Sequence, residues 1–170
     1  MMKLAFWIIG GLAGLAALIV VVGLLLPATR TGQVDRVVEA TPAQLKAVIL
    51  DKASQPYWRP DLAKVEVQSA TTWTETTRRG EVITFELTAQ TEQILQMRFK
   101  SSYGYHGQWE GRLVPTPSGG THIFVTEQAT TPSPIGRIMS RLFFDPKAFA
   151  QAYLDALVQE TTRRSPRDAS

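Results

Sequence analysis

The sequence predicts an α+β fold: a curved antiparallel β-sheet wrapped around a long C-terminal helix, preceded by one N-terminal transmembrane helix. Three observations carry this. An apolar run occupies the N-terminus, period-two alternation dominates from about Val65 to Val125, and helical spacing takes over after Pro134.

Leu4 to Leu26 contains no charged or amide side chain. At about 1.5 Å per residue this run reaches roughly 34 Å, enough for a hydrocarbon core of about 30 Å. A cleaved signal would have a shorter apolar core, about 7–15 residues, followed by small residues; Leu26-Pro27-Ala28 suits that poorly. The run therefore reads as a single-pass anchor, with Trp7 at an interface and Pro27 ending the helix. Gly10 and Gly14 have the spacing at which two such helices approach closely, so a homodimer contact is an expectation. Lys3 before the run and Arg30, Arg36 and Lys46 after it differ too little to fix which side the domain occupies.

The chain divides into an anchor (1–29), a domain (30–162) and a basic tail (163–170) carrying Arg163, Arg164 and Arg167, read as disordered. The domain is of ordinary size for one core. The 170 residues include 18 Lys+Arg, 15 Asp+Glu and no cysteine. This excludes a disulfide framework, thiolate metal sites and a cysteine nucleophile. A net charge of +3 without a dense basic cluster speaks against a nucleic-acid partner.

The elements follow in order. Gln33 to Glu39 reads as an opening strand, and Thr41-Pro42 supplies an N-cap and first-turn proline for a helix to about Leu50. A short helical segment around Lys52 to Tyr57 stops before Trp58-Arg59-Pro60-Asp61. About six alternating strands follow as one antiparallel meander, with turns at Arg79-Gly80, Thr91 to Gln93 and Pro115 to Gly120. Gln108, Glu110 and Arg112 alternate with apolar positions, which places one face in water. Ile135, Ile138, Met139 and Leu142, then Phe149, Tyr153 and Leu157, mark one long amphipathic helix, kinked or broken at Pro146. One helix covers a curved sheet only in part, so a cavity is expected beneath it.

In this order the chain resembles the START-like or SRPBCC superfamily, the helix-grip fold of polyketide cyclase-like and lipid-transfer-like proteins, in particular its membrane-anchored bacterial members. The resemblance covers about Thr31 to Glu160. It is carried by Val37-Val38-Glu39-Ala40-Thr41-Pro42, Trp58-Arg59-Pro60-Asp61, Trp73-Thr74-Glu75, Gly107-Gln108-Trp109, Gly120-Thr121 through Glu127, and Tyr153-Leu154-Asp155-Ala156-Leu157. It implies binding of an apolar molecule and no particular reaction.

Alternation puts Trp73, Phe85, Met97, Phe99 and Trp109 on the inner face together with Glu75 and Glu127. A carboxylate in an apolar cavity has its pKa raised and can act as a general acid or base. The alternative is that both carboxylates lie at strand ends and meet solvent or an arginine. Trp58 and Arg59 would flank the entrance, the guanidinium meeting a polar headgroup. Tyr103, Phe149 and Tyr153 complete the expected lining. No metal or cofactor is expected: His106 and His122 lack partners at ligand spacing, and no phosphate loop or nucleophile elbow occurs. Three functions remain open: a membrane-anchored binder of a hydrophobic small molecule or lipid, a cyclase or dehydratase-like enzyme using a cavity carboxylate, and a tethered interaction module without a ligand.

Overall fold

The computed structural model describes residues 2–164, with the side chains of 2–6 and 8 outside the description. Helix α1 (Met2–Leu25) is followed by strand β1 (Thr29–Val38) and helix α2 (Pro42–Leu50). Thr41 caps α2 as expected: its hydroxyl accepts from the Gln44 amide while the Gln44 side chain accepts from the Thr41 amide. A 3₁₀ turn (Lys52–Ser54) and the one-turn helix α3 (Gln55–Trp58) lead into β2 (Leu62–Val67), β3 (Thr72–Thr77), β4 (Val82–Gln90), β5 (Ile94–Ser101), β6 (His106–Pro115) and β7 (Thr121–Thr130). Helices α4 (Pro134–Phe143) and α5 (Pro146–Arg164) end the described chain.

The seven strands form one antiparallel sheet in the order β1-β7-β6-β5-β4-β3-β2. It is the expected meander, closed by the opening strand pairing with the last one. Its inner face carries Val34, Val38, Trp73, Leu95, Met97, Trp109, Leu113, Ile123 and Val125, all buried in one core with Leu45, Val48 and Ile49 of α2 and Ala150, Leu154 and Leu157 of α5. The outer face is polar. A shallow depression there is lined by Thr88, Gln96, Arg98, Gln108 and Glu110, with Gln96 donating to Glu110 at 2.8 Å.

Helix α5 packs on β1 and β7, and its far end meets α2 and α3. Gly32 permits this: a Cβ there would stand 2.6 Å from the Pro146 carbonyl oxygen, so only glycine lets the first turn of α5 sit on β1. The opposite end is fastened by charge. Arg164 reaches Asp51 at 2.9 Å and, with Arg163, binds the buried Glu160. The basic residues expected to open a loose tail thus belong to the last turn of the helix; Arg167 lies outside the described residues.

Of the two outcomes expected at Pro146, a kink or a break, the structure shows the break, and the C-terminal helical stretch is two helices. The chain breaks at Phe144-Asp145, where the Asp145 carboxylate accepts from the Lys147 and Ala148 amides and starts α5 afresh. Helix α4 buries none of its residues and packs against α1 rather than the sheet. The apolar stripe Ile135, Met139 and Leu142, expected to close the core, is therefore solvent-facing.

Residues of α1 are exposed all round, including Trp7, Leu12, Leu15, Leu18, Val21 and Leu25, while Gly23 is buried against Pro134. Gly10 and Gly14 face open space. With the side chains of 2–6 and 8 outside the description, no helix among the described residues is long and apolar enough to cross a membrane.

Candidate functional site: an aromatic cleft with a buried arginine

Coverage of the inner face is uneven, and this creates the site. Beneath α5 the inward residues Thr121, Ile123 and Val125 of β7 are fully buried, whereas on β4 the inward row Ile83, Phe85, Leu87 and Ala89 is only half-buried. The helix roofs one side of the sheet and leaves a cleft over β4, between the buried inward rows of β3 and β5.

Aromatic rings pack under and beside this cleft in two connected groups. Trp73 stacks on Phe85 at 5.3 Å between ring centres, Phe85 lies 5.7 Å from Phe99, and Phe99 meets Tyr105 edge-on at 6.2 Å. From the roof, Tyr153 lies 6.1 Å from Trp58 and 5.9 Å from Trp109. Register explains the spacing, because Trp73 pairs with Phe85, Phe85 with Phe99, and Met97 with both Leu87 and Trp109. Gly107 and Gly111 leave room for the rings: a Cβ would strike Phe99 in the first case and the Trp109 indole in the second.

At one wall sits a buried charge network. Arg59 Nη1 donates to Glu75 Oε2 at 2.9 Å and to Gln55 Oε1 at 2.8 Å, and Nη2 donates to Asp61 at 2.9 Å. The second Glu75 oxygen accepts from the Trp73 indole at 3.0 Å. Burial works against the Arg59 charge, but Glu75 and Asp61 outweigh it and hold the guanidinium protonated. Arg59 also lies over the Tyr153 ring at 5.5 Å. Lys52 is tied down nearby, donating to the Ala70 carbonyl at 2.7 Å with its ammonium over Trp73; burial lowers its pKa.

Two buried donors in this wall have no partner: Trp58 Nε1 and Arg59 Nε. A buried donor left unsatisfied costs about 1–3 kcal/mol, so such groups mark places where a water or ligand oxygen belongs.

Glu127 is the second inward carboxylate. It is opposite Trp109 on β6 and Gly32 on β1, half-buried, and has no hydrogen-bond partner among the described residues. Burial pushes its carboxyl up to about 7; Arg59 draws it down and Glu75 adds to the rise. Burial also raises the Tyr153 phenol, and burial followed by the hydrogen bond with Glu81 raises Tyr105.

The structure thus brings together Trp58, Arg59, Trp73, Glu75, Phe85, Met97, Phe99, Trp109, Glu127 and Tyr153. Tyr103 is not among them. It is exposed in the turn before Gly104, and its hydroxyl approaches the Arg79 carbonyl at 3.4 Å. Phe149 sits in the first turns of α5 against Phe144, with ring centres 5.6 Å apart. Arg59 departs from the expected headgroup contact because its terminal nitrogens are spent on internal partners. Glu75 points inward and is fully buried, as alternation places it, and meets an arginine there and not at a solvent-exposed strand end. His122 faces outward to Asp35 at 2.6 Å.

Sequence reasoning missed Gln55 and Asp61 as partners of Arg59. The signal available was Asp61 two residues on; nothing local pointed to Gln55. For Tyr105, the one local signal is its parity with Phe99 across the turn.

No family model and no curated protein matches the chain. Solved structures do. The Zhui aromatase/cyclase from Streptomyces sp. R1128 superposes with a TM-score of 0.67 at 14% identity, over 81% of this chain and 96% of that one. A START superfamily protein from Mycobacterium smegmatis gives 0.62 at 11% identity, over 79% and 97%. Norcoclaurine synthase from Thalictrum flavum, solved with dopamine and hydroxybenzaldehyde, gives 0.63 at 15% identity, over 84% and 91%. At these identities the likeness is one of fold: the chain adopts the helix-grip architecture these proteins share.

Proposed function

We propose that this protein is a membrane-anchored member of the START-like or SRPBCC superfamily that binds a hydrophobic, ring-bearing small molecule or lipid in the cleft between α5 and the sheet. The observation that carries this reading is the half-buried inner row of β4 beside stacked aromatics, with the unpartnered donors Trp58 Nε1 and Arg59 Nε in the wall. Apolar floor plus a few fixed donors is the usual chemistry of a small-molecule pocket. The fold neighbours include a protein solved with two small aromatic molecules, which suits a cleft built from aromatic rings.

Anchoring is supported by the run Leu4 to Leu26 and by the helix built on it. Met2–Leu25 at about 1.5 Å per residue extends roughly 36 Å. Its exposed apolar side chains point in all directions, a surface that hydrocarbon covers and water does not. Glu127 pairs in register with Gly32, close to the start of β1 at Thr29, so the Glu127 end of the cleft is the end nearest the anchor. A ligand dissolved in the bilayer would have a short path to it.

The test uses the full chain in lipid nanodiscs with 5-fluorotryptophan at its four tryptophans and 2-naphthol as ligand. Fluorine resonances of Trp58, Trp73 and Trp109 are expected to shift saturably, and Phe85→Asp to abolish the shift. Unmoved cleft resonances at full naphthol saturation of the bilayer would reject the reading.

A second reading has one specific observation in its favour. Glu127, unpaired and titrating near neutrality, is the carboxylate suited to general acid or base work on a bound apolar substrate. Glu75 is not, being committed to Arg59 and Trp73.

A further inference from the structure

Helix α4 has a face that nothing in the fold covers. Ile135, Met139, Leu142 and Phe143 stand at i, i+4, i+7 and i+8, all exposed, Leu142 at 68% and Phe143 at 74%. No residue of the helix is buried. Phe144, directly after it, is exposed as well. A ten-residue helix this apolar on one side has no reason to remain beside a soluble domain unless something covers that side.

Its position identifies the cover. Pro134, the first residue of α4, rests on Gly23, where a Cβ would stand only 2.3 Å from the Pro134 carbonyl oxygen. Arg137 donates to the Thr131 carbonyl at 3.0 Å and the Pro132 carbonyl at 3.1 Å, with longer contacts of 3.4 Å to the Leu24 and Leu26 carbonyls at the end of α1. Arg30 reaches the other end of α4, donating to the Ser140 and Phe144 carbonyls at 2.6 and 2.7 Å. Both ends of α4 are thus fixed by arginines to the segment where the apolar run stops. The helix has no acidic residue and carries Arg137 and Arg141 away from its apolar stripe. Apolar side chains on one side and arginines on the other are the pattern of a helix lying at a lipid headgroup boundary.

We propose that α4 is an interfacial helix that lays Ile135, Met139, Leu142 and Phe143 into the bilayer surface beside α1 and so fixes the domain against an anionic membrane. This rests on the reading of α1 as a membrane anchor. Because α1 already holds α4 at the surface, a helix too short to bind a membrane alone suffices: its insertion is intramolecular.

The chain contains no cysteine, so single nitroxide labels can be placed at Leu142→Cys, at Leu15→Cys in the middle of α1, and at Lys100→Cys on the outer face of the sheet. The full chain is reconstituted in vesicles of phosphatidylcholine and phosphatidylglycerol, and each label is read by power saturation against oxygen and an aqueous nickel chelate. The expected result is a deep Leu15 label, a shallow lipid-exposed Leu142 label and a water-exposed Lys100 label, with Met139→Asp returning the Leu142 label to water while leaving Leu15 deep. A Leu142 label as open to nickel as Lys100, with Leu15 still deep, overturns the α4 proposal and leaves the anchor standing. A Leu142 label shielded from both reagents and broadened by a second nitroxide also overturns it, in favour of a second copy of the chain covering α4. A Leu15 label open to nickel overturns the anchor and the proposal together.

Discussion

At the residue scale the protein is organised around Arg59. A guanidinium with three internal acceptors and one idle donor is both a structural pin and a recognition group. Breaking a buried pair by removing one partner typically costs about 3–5 kcal/mol, because the other charge stays behind unpaired. Arg59→Met is therefore expected to lower unfolding free energy by about 3 kcal/mol in urea titrations, and the double variant Arg59→Met, Glu75→Gln to recover part of the loss. Additivity of the two single changes would show that the pair is not coupled. Glu127 makes the opposite kind of prediction. Its folded carboxyl titrates near 7, above its ordinary 4.5, so the unfolded chain ionises first as pH rises. Its contribution is complete below about pH 4.5 and is lost as pH climbs through about 7. Thermal melts should show Glu127→Gln flattening that decline; identical slopes for wild type and variant would mean the carboxyl is not raised.

At the element scale the seat of α5 on β1 decides whether a cleft exists. Gly32→Ala places a methyl into the Pro146 backbone, where no side chain can rotate out of the way. Overpacking of this kind costs about 1–3 kcal/mol, and hydrogen exchange should locate the loss in the first turns of α5. The capping box of α2 is simpler: Thr41→Ala should cost about 1 kcal/mol by the same denaturation assay. The two C-terminal helices show what periodicity encodes. Ile135, Ile138, Met139 and Leu142 correctly specify an amphipathic helix, but spacing states only that an apolar face exists. It does not state which surface meets that face: here the helix packs beside α1, remote in sequence, and leaves Ile135, Met139 and Leu142 exposed instead of turned to the sheet.

At the scale of the whole molecule an apolar rod and a polar-surfaced domain meet through Gly23, Pro134 and Arg137. The proposed anchor predicts that membranes from cells expressing the full chain retain it through alkaline carbonate extraction, and that replacing Leu15 and Leu18 with lysine releases it to the supernatant. Retention of that variant, or loss of the unaltered chain to the supernatant, would overturn the proposed anchor.

The strands, the capped second helix, the inward parity of Glu75 and Glu127 and the aromatic row were readable because each follows from a local period of two or 3.6 residues and from turn chemistry at Gly and Pro. What the tertiary structure alone decided were the pairings across elements: Gln55, Asp61 and Glu75 converging on one guanidinium, Tyr103 turned out of the cleft by the Gly104 turn while Tyr105 returned to it, and α4 leaving the core for α1. Local sequence sets which way a side chain faces along its own element. Which partner it meets depends on how elements distant in the chain pack, and that is fixed by volume and charge satisfied across the whole fold at once.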